Sequence, residues 1–136
     1  MGGSILGAEA IYQFLKFKIK KKFVFIDNLN PVIKKKKSIN NDVNIIISKS
    51  GNTLETILNS NLLVSKKKNN IIITENRNNY LNKLATDIKA EIFEHKNYIG
   101  GRYSVLSEVG MLPAQLLGLN EAKFKRFNYL IQNKSF

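Results

Sequence analysis

The residues best equipped for chemistry lie in one stretch, Ser48-Lys49-Ser50-Gly51-Asn52-Thr53-Leu54-Glu55-Thr56. The apolar run Ile45-Ile46-Ile47 ends there, and helix-forming residues follow from Thr53 to about Lys66. The order is strand, tight turn, helix. Ser48, Ser50, Thr53 and Thr56 carry hydroxyl donors, and Gly51 lets the backbone bend where a Cβ would clash. Thr53 suits the N-cap of the helix, with Thr56 at the N3 position. The first turn of a helix has free N–H groups and a partial positive charge, so amides and hydroxyls together can cradle a phosphate-sized anion. On spacing alone, the stretch also reads as an ordinary capped turn between a strand and a helix.

Two further stretches carry glycine pairs beside a polar side chain: Met1-Gly2-Gly3-Ser4-Ile5-Leu6-Gly7 and Gly100-Gly101-Arg102-Tyr103-Ser104-Val105-Leu106-Ser107. Taken singly, the first is a flexible tail and the second a surface arginine after a glycine turn. Taken in order with Ser48–Thr56, the three resemble the motifs of glucose-6-phosphate isomerases, which are built from sugar isomerase (SIS) domains. The resemblance runs from the first residue to about Gly118.

It implies a role for each motif. Ser48, Ser50 and Thr53 would hold the phosphate of a sugar phosphate, with Thr56 as a further hydroxyl, and Lys49 occupies a lysine position of the family. Asn52 stands where relatives often carry another hydroxyl residue, and its amide can still donate. Gly3 and Ser4 would border the sugar. Gly101 would let Arg102 approach, and Arg102 would stabilise the enediolate through which an aldose becomes a ketose, because a fixed guanidinium opposes the negative charge that develops on oxygen.

The family base is a glutamate well beyond the Gly-Gly-Arg motif, followed by a histidine that helps to open the ring and then a lysine. None of these has a counterpart after Arg102. Glu108 stands where relatives commonly carry proline, and His95, the one histidine, precedes Gly101 and reads as a solvent-facing loop residue. The expectation is a partial SIS domain over 1–136. It belongs to an enzyme that interconverts glucose 6-phosphate and fructose 6-phosphate in glycolysis and gluconeogenesis, homodimeric at full length, and it is inactive alone. The alternative is a non-catalytic SIS domain that senses a sugar phosphate, but a sensor has no need of an enediolate-stabilising arginine.

Alternating strands and helices must position these residues. Met1–Gly7 reads as a glycine-rich turn, and Ala8 to about Lys20 as an amphipathic helix through Ile11, Phe14, Leu15 and Ile19. Strands are expected near 23–26, 43–47, 71–74 and 90–93, the second buried on both faces. Helices are expected at 53–66, 78–88, 105–117 and 121–132, with a short one at 32–38 after Pro31. The last should bury Phe124, Phe127 and Ile131, and Pro113 should kink the one before it. This pattern predicts an α/β fold, a three-layer sandwich on a parallel sheet. The resemblance implies the flavodoxin-like SIS order 2-1-3-4-5. Its first, central strand would be missing, so 23–26 would either lack a neighbour or pair directly with 43–47.

Composition narrows the partners. At 136 residues the chain is one domain with room for an ordinary core. Without cysteine it has no disulfide or thiolate chemistry, and it shows no metal-ligand cluster and no dinucleotide fingerprint, so no cofactor is expected. No run reaches the roughly 18 apolar residues of a membrane span, and no secretory signal opens the chain, so a cytoplasmic location with no membrane contact is expected. The net charge of +12 would attract any polyanion. Its lysines, however, come in runs at 20–22, 34–37 and 66–68 without interleaved aromatics, which reads as a solvated surface and not a nucleic-acid platform.

Overall fold

The computed structural model describes residues 3–29, 42–64, 66, 69–124 and 126. The expected short helix at 32–38 and most of the region beyond Phe124, with Phe127 and Ile131, lie outside them. Three parallel strands form one sheet in the order β1 (Val43–Ile47), β2 (Asn69–Thr74), β3 (Glu91–Glu94). Ile45 pairs with Ile71, and Ile71 in turn with Glu91. Between them run α2 (Leu54–Leu63) and α3 (Tyr80–Ile88). After β3 come a 3-10 helix (Gly101–Leu106), α4 (Glu108–Leu116) and the short α5 (Glu121–Phe124).

Successive side chains of a strand point to opposite faces. Ile72 and Ile73, neighbours in β2, are both 0% exposed, so both faces of the central strand are covered. This is the expected α/β fold. On one face Ile46 and Ile72 pack with Leu81 and Ala85 of α3. A second cluster joins Ile11 to Met111 and Ala114 of α4, with Leu15, Val105, Leu119 and Phe124 at its margin.

Several expectations need correction. Gly3–Gly7 is no turn: α1 runs from Gly3 to Leu15, and a 3-10 turn follows at Lys16–Lys18. Glycine is a poor helix former in isolation, but here it admits a neighbour. A Cβ on Gly7 would sit 3.0 Å from Val105, so α1 can lie directly against the 3-10 helix that carries Arg102.

The 23–26 segment forms no strand. It joins no ladder among the described residues, and Phe23 and Phe25 turn onto Tyr12, with ring centroids 6.1 and 5.6 Å away. Val24 and Ile26 face solvent. A strand exists only where a neighbour pairs with it, and among the described residues β1 is paired on its β2 side alone. As an edge strand, β1 is not buried on both faces either: Ile46 is buried, while Val43 is exposed. The helix expected from Val105 begins instead at Glu108, because Ser107 caps it: the Ser107 hydroxyl accepts from Val109 N–H at 3.4 Å.

The approach of α4 to the 3-10 helix rests on Gly110. A Cβ there would lie 2.0 Å from the Val105 carbonyl oxygen, a backbone atom that cannot swing aside. Gly110→Ala is therefore expected to cost about 1–3 kcal/mol of folding stability, the usual penalty for overpacking. Urea unfolding should show this as a lower midpoint. An unchanged midpoint would mean that α4 can lift off Val105 freely.

Candidate functional site

Three loops leave the carboxyl ends of the strands: 48–53 after β1, 75–79 after β2 and 95–100 after β3. The ladder extends into all of them. Ser48 N–H donates to Ile73 O at 3.1 Å, Glu75 N–H to Lys49 O at 3.1 Å, and His95 N–H to Thr74 O at 2.8 Å. Doubly wound sheets place their ligands at this edge.

The 48–53 loop is organised by its own hydroxyls. Gly51 has φ of +67°, a left-handed conformation that a side chain would strain. Its N–H donates to both the carbonyl and the hydroxyl of Ser48, each at 3.2 Å. Asn52 N–H donates to the Ser50 hydroxyl at 3.2 Å. Thr53 stands at the N-cap of α2 as expected, but its hydroxyl does not cap the helix. It lies 2.8 Å from the Ser48 hydroxyl and 3.4 Å from that of Ser50. The first turn of α2 thus has no side-chain cap, and three hydroxyls converge beside it. Ser48, at 4% exposure, sits beneath the loop, while Ser50, Thr53 and Thr56 are half-buried and reachable.

Lys49 points elsewhere. Its ammonium donates to Asn97 O at 2.7 Å and lies 3.7 Å from the Glu75 carboxylate, which also pairs with Arg77 at 2.9 Å. It therefore ties the loop after β1 to the loop after β3. Asn52 likewise faces the protein: its Oδ1 accepts from Tyr80 N–H at 2.9 Å.

Arg102 lies in the 3-10 helix, exposed, with no hydrogen bond or ion pair among the described residues. Gly101 has no left-handed φ, so its role is not conformational freedom of that kind; its carbonyl accepts from the Ser104 hydroxyl at 2.6 Å. Beside it opens a cleft of about 500 Å³ lined by Lys96, Tyr98, Gly100, Tyr103, Leu106 and Glu108. The Glu94 carboxylate, hydrogen-bonded to the Lys96 ammonium, holds that lysine above its ordinary pKa. A larger depression of about 650 Å³, bordered by Val43, Asn69, Lys89 and Glu91, lies at the amino ends of the strands, the wrong edge for a ligand of this fold.

Ser4 is in the first turn of α1, buried, on the helix that packs against the Arg102 segment. Gly3 begins the same helix. His95 is not solvent-facing: it is 1% exposed, and its backbone N–H extends the ladder to Thr74 O. Its Nδ1 lies 3.2 Å from Lys96 O, and its Nε2 has no partner among the described residues. Nor, among the described residues, do three or more His, Cys, Asp or Glu gather as metal ligands, and no helix is long and apolar enough to cross a membrane.

The sequence model of the family described as phosphoglucose isomerase matches residues 1–132. Relatives named glucose-6-phosphate isomerase include that of Methanocaldococcus jannaschii, 37% identical over 134 residues, covering 90% of this chain and 33% of the relative. That of Mycoplasmopsis synoviae is 36% identical, with 90% and 33% covered, and that of Borreliella burgdorferi is 34% identical, with 99% and 31% covered. The chain thus spans about a third of the length of these relatives. Among solved structures, a hypothetical protein from Thermus thermophilus superposes with a TM-score of 0.70 at 24% identity, over 89% of this chain and 32% of that one, and so shares the fold. With its three motifs in order and the family's sequence model matched over nearly its whole length, this chain belongs to the phosphoglucose isomerase family.

Proposed function

We propose that this chain forms the phosphate-holding part of an SIS-type aldose–ketose isomerase that interconverts glucose 6-phosphate and fructose 6-phosphate. One observation carries the reading: three convergent hydroxyls at the start of α2, which has no side-chain cap, lie at the same sheet edge as the loop that leads to Arg102, an arginine without a hydrogen bond or ion pair among the described residues. Ser50, Thr53, Thr56 and the α2 amides hold the phosphate, and Ser48 orients Thr53 from below. Lys49 contributes by holding the loops after β1 and β3 together, and its charge adds to the local positive field. Gly3, Ser4 and Gly101 border the sugar. Arg102 stabilises the enediolate oxygen. The reaction belongs to glycolysis and gluconeogenesis in the cytoplasm, and the full-length enzyme works as a homodimer without a cofactor. Among the described lysines, Lys21 donates to Leu116 O at 2.7 Å, at the end of α4 where a cation is favoured.

Each hydrogen bond to a charged group is worth about 1.5–3 kcal/mol. The double variant Thr53→Val with Ser48→Ala removes one ligand hydroxyl and the group that aims it. Calorimetry with glucose 6-phosphate should find weak binding to the natural chain and none to the variant. Equal affinity in both would remove the cradle from the account.

Proton transfer between C1 and C2 needs a base, which contributes roughly 10²–10⁴-fold. The base that the family uses has no match among these residues, so the 136-residue chain alone is expected to show no enzymatic turnover in a coupled dehydrogenase assay. A partner of the same sequence would not supply it. Substantial turnover that disappears in Arg102→Ala would reveal a base within this chain and refute the division of labour.

A further inference from the structure

A helix begins with free N–H donors. At α3 the available donors are spent on the neighbouring loop and cap. Tyr80 N–H donates to Asn52 Oδ1 at 2.9 Å, Leu81 N–H to Gly51 O at 3.2 Å, and Asn82 N–H to Asn79 Oδ1 at 2.9 Å. Two of these three bonds end on the hydroxyl loop after β1. The start of α3 therefore grips the loop that precedes α2.

Asn79 is the pivot of this grip. It is 3% exposed, and its carboxamide is satisfied at both ends. Oδ1 caps α3, while Nδ2 donates to Thr74 Oγ1 and to Glu75 O, both at 3.2 Å. The amide lies directly over Gly51: a Cβ on that glycine would be 2.3 to 2.6 Å from the three heavy atoms of the Asn79 carboxamide. Gly51 is the loop residue in the left-handed conformation, between Ser50 and Thr53. An ordinary N-cap needs an acceptor alone. The two bonds from Nδ2, to the end of β2 and the loop after it, and the contact with Gly51 exceed that need.

We propose that Asn79 is a positioning residue for the anion loop: without touching the ligand, it holds Gly51 and Asn52 in the conformation that turns Ser50, Thr53 and the α2 amides toward a phosphate. The proposal rests on the reading of that loop as the phosphate cradle. Thr74, 1% exposed, supports the same contact, since its hydroxyl accepts from Asn79 and donates to Lys49 O at 3.4 Å.

The test uses Asn79→Ser in the full 136-residue chain. Serine keeps the capping acceptor and is as good an N-cap, but it has no carboxamide to lay over Gly51. Two readouts are compared with the natural chain: affinity for glucose 6-phosphate and for inorganic phosphate by calorimetry, and backbone amide resonances of the free protein. The expected result is an affinity at least tenfold lower for both anions, with resonance changes at Gly51, Asn52 and Thr53 besides those at the start of α3. Unchanged affinity, with changes confined to residues 79–83, would reduce Asn79 to a helix cap and overturn the proposal while leaving the cradle intact. A natural chain that binds neither anion would overturn both. Should Asn79→Ser fail to fold, Asn79→Thr, which also keeps a capping oxygen and has no carboxamide, carries the same comparison of affinity and of Gly51, Asn52 and Thr53 resonances, with the same outcomes decisive.

Discussion

The carboxyl end of β2 is the constraint on which everything else hangs. Ile72 and Ile73 are wholly buried, so both faces of the central strand are covered. At its end, Ile73 O and Thr74 O accept from Ser48 and His95, and Glu75 N–H returns a bond to Lys49 O. The loops after β1 and β3 are thus continuations of the ladder. Backbone hydrogen bonds inside a buried sheet are expensive to leave unmade. The site inherits this rigidity before any of its own side chains contributes.

Within that frame the polar groups divide into holders and presenters. Asn52, Asn79, Ser48 and Lys49 spend their hydrogen bonds on the protein. Ser50, Thr53 and Thr56 remain accessible at the start of α2, and Arg102 is exposed in the 3-10 helix that follows the loop after β3. Such a division suits a ligand with one concentrated charge. Preorganised donors cost no reorganisation when an anion binds, which is the condition for strong electrostatic stabilisation. Gly51 belongs to both groups: its conformation makes the turn, and the missing side chain admits Asn79.

Much of this was legible in the residues. The runs Ile45–Ile47 and Ile71–Thr74 announce strands, and the hydroxyl cluster after the first announces the turn, because local pattern and tertiary role agree there. Where they part, the reading fails. Phe23–Ile26 looks like a strand, yet pairing is a property of two segments, and its aromatics found Tyr12 instead. The glycines before Ala8 look like a turn, yet Gly7 serves a helix that must lie close to Val105. His95 looks like a loop residue, yet it is buried, with a backbone bond to Thr74 that no spacing reveals. Asn79 offered a faint signal, an asparagine just before the periodic run Tyr80, Leu81, Leu84, which marks a cap; its contact with Gly51 lies in the third dimension alone.

On the proposed function, a phosphate belongs at the start of α2. A crystal structure of this chain with glucose 6-phosphate tests it most directly. Phosphate oxygens are expected at hydrogen-bond distance, about 2.7–3.2 Å, from Thr53 Oγ1, Ser50 Oγ and the first-turn amides of α2, with the sugar extending toward Arg102. A phosphate held by the lysines near Lys21, with the hydroxyl loop left empty, would contradict it.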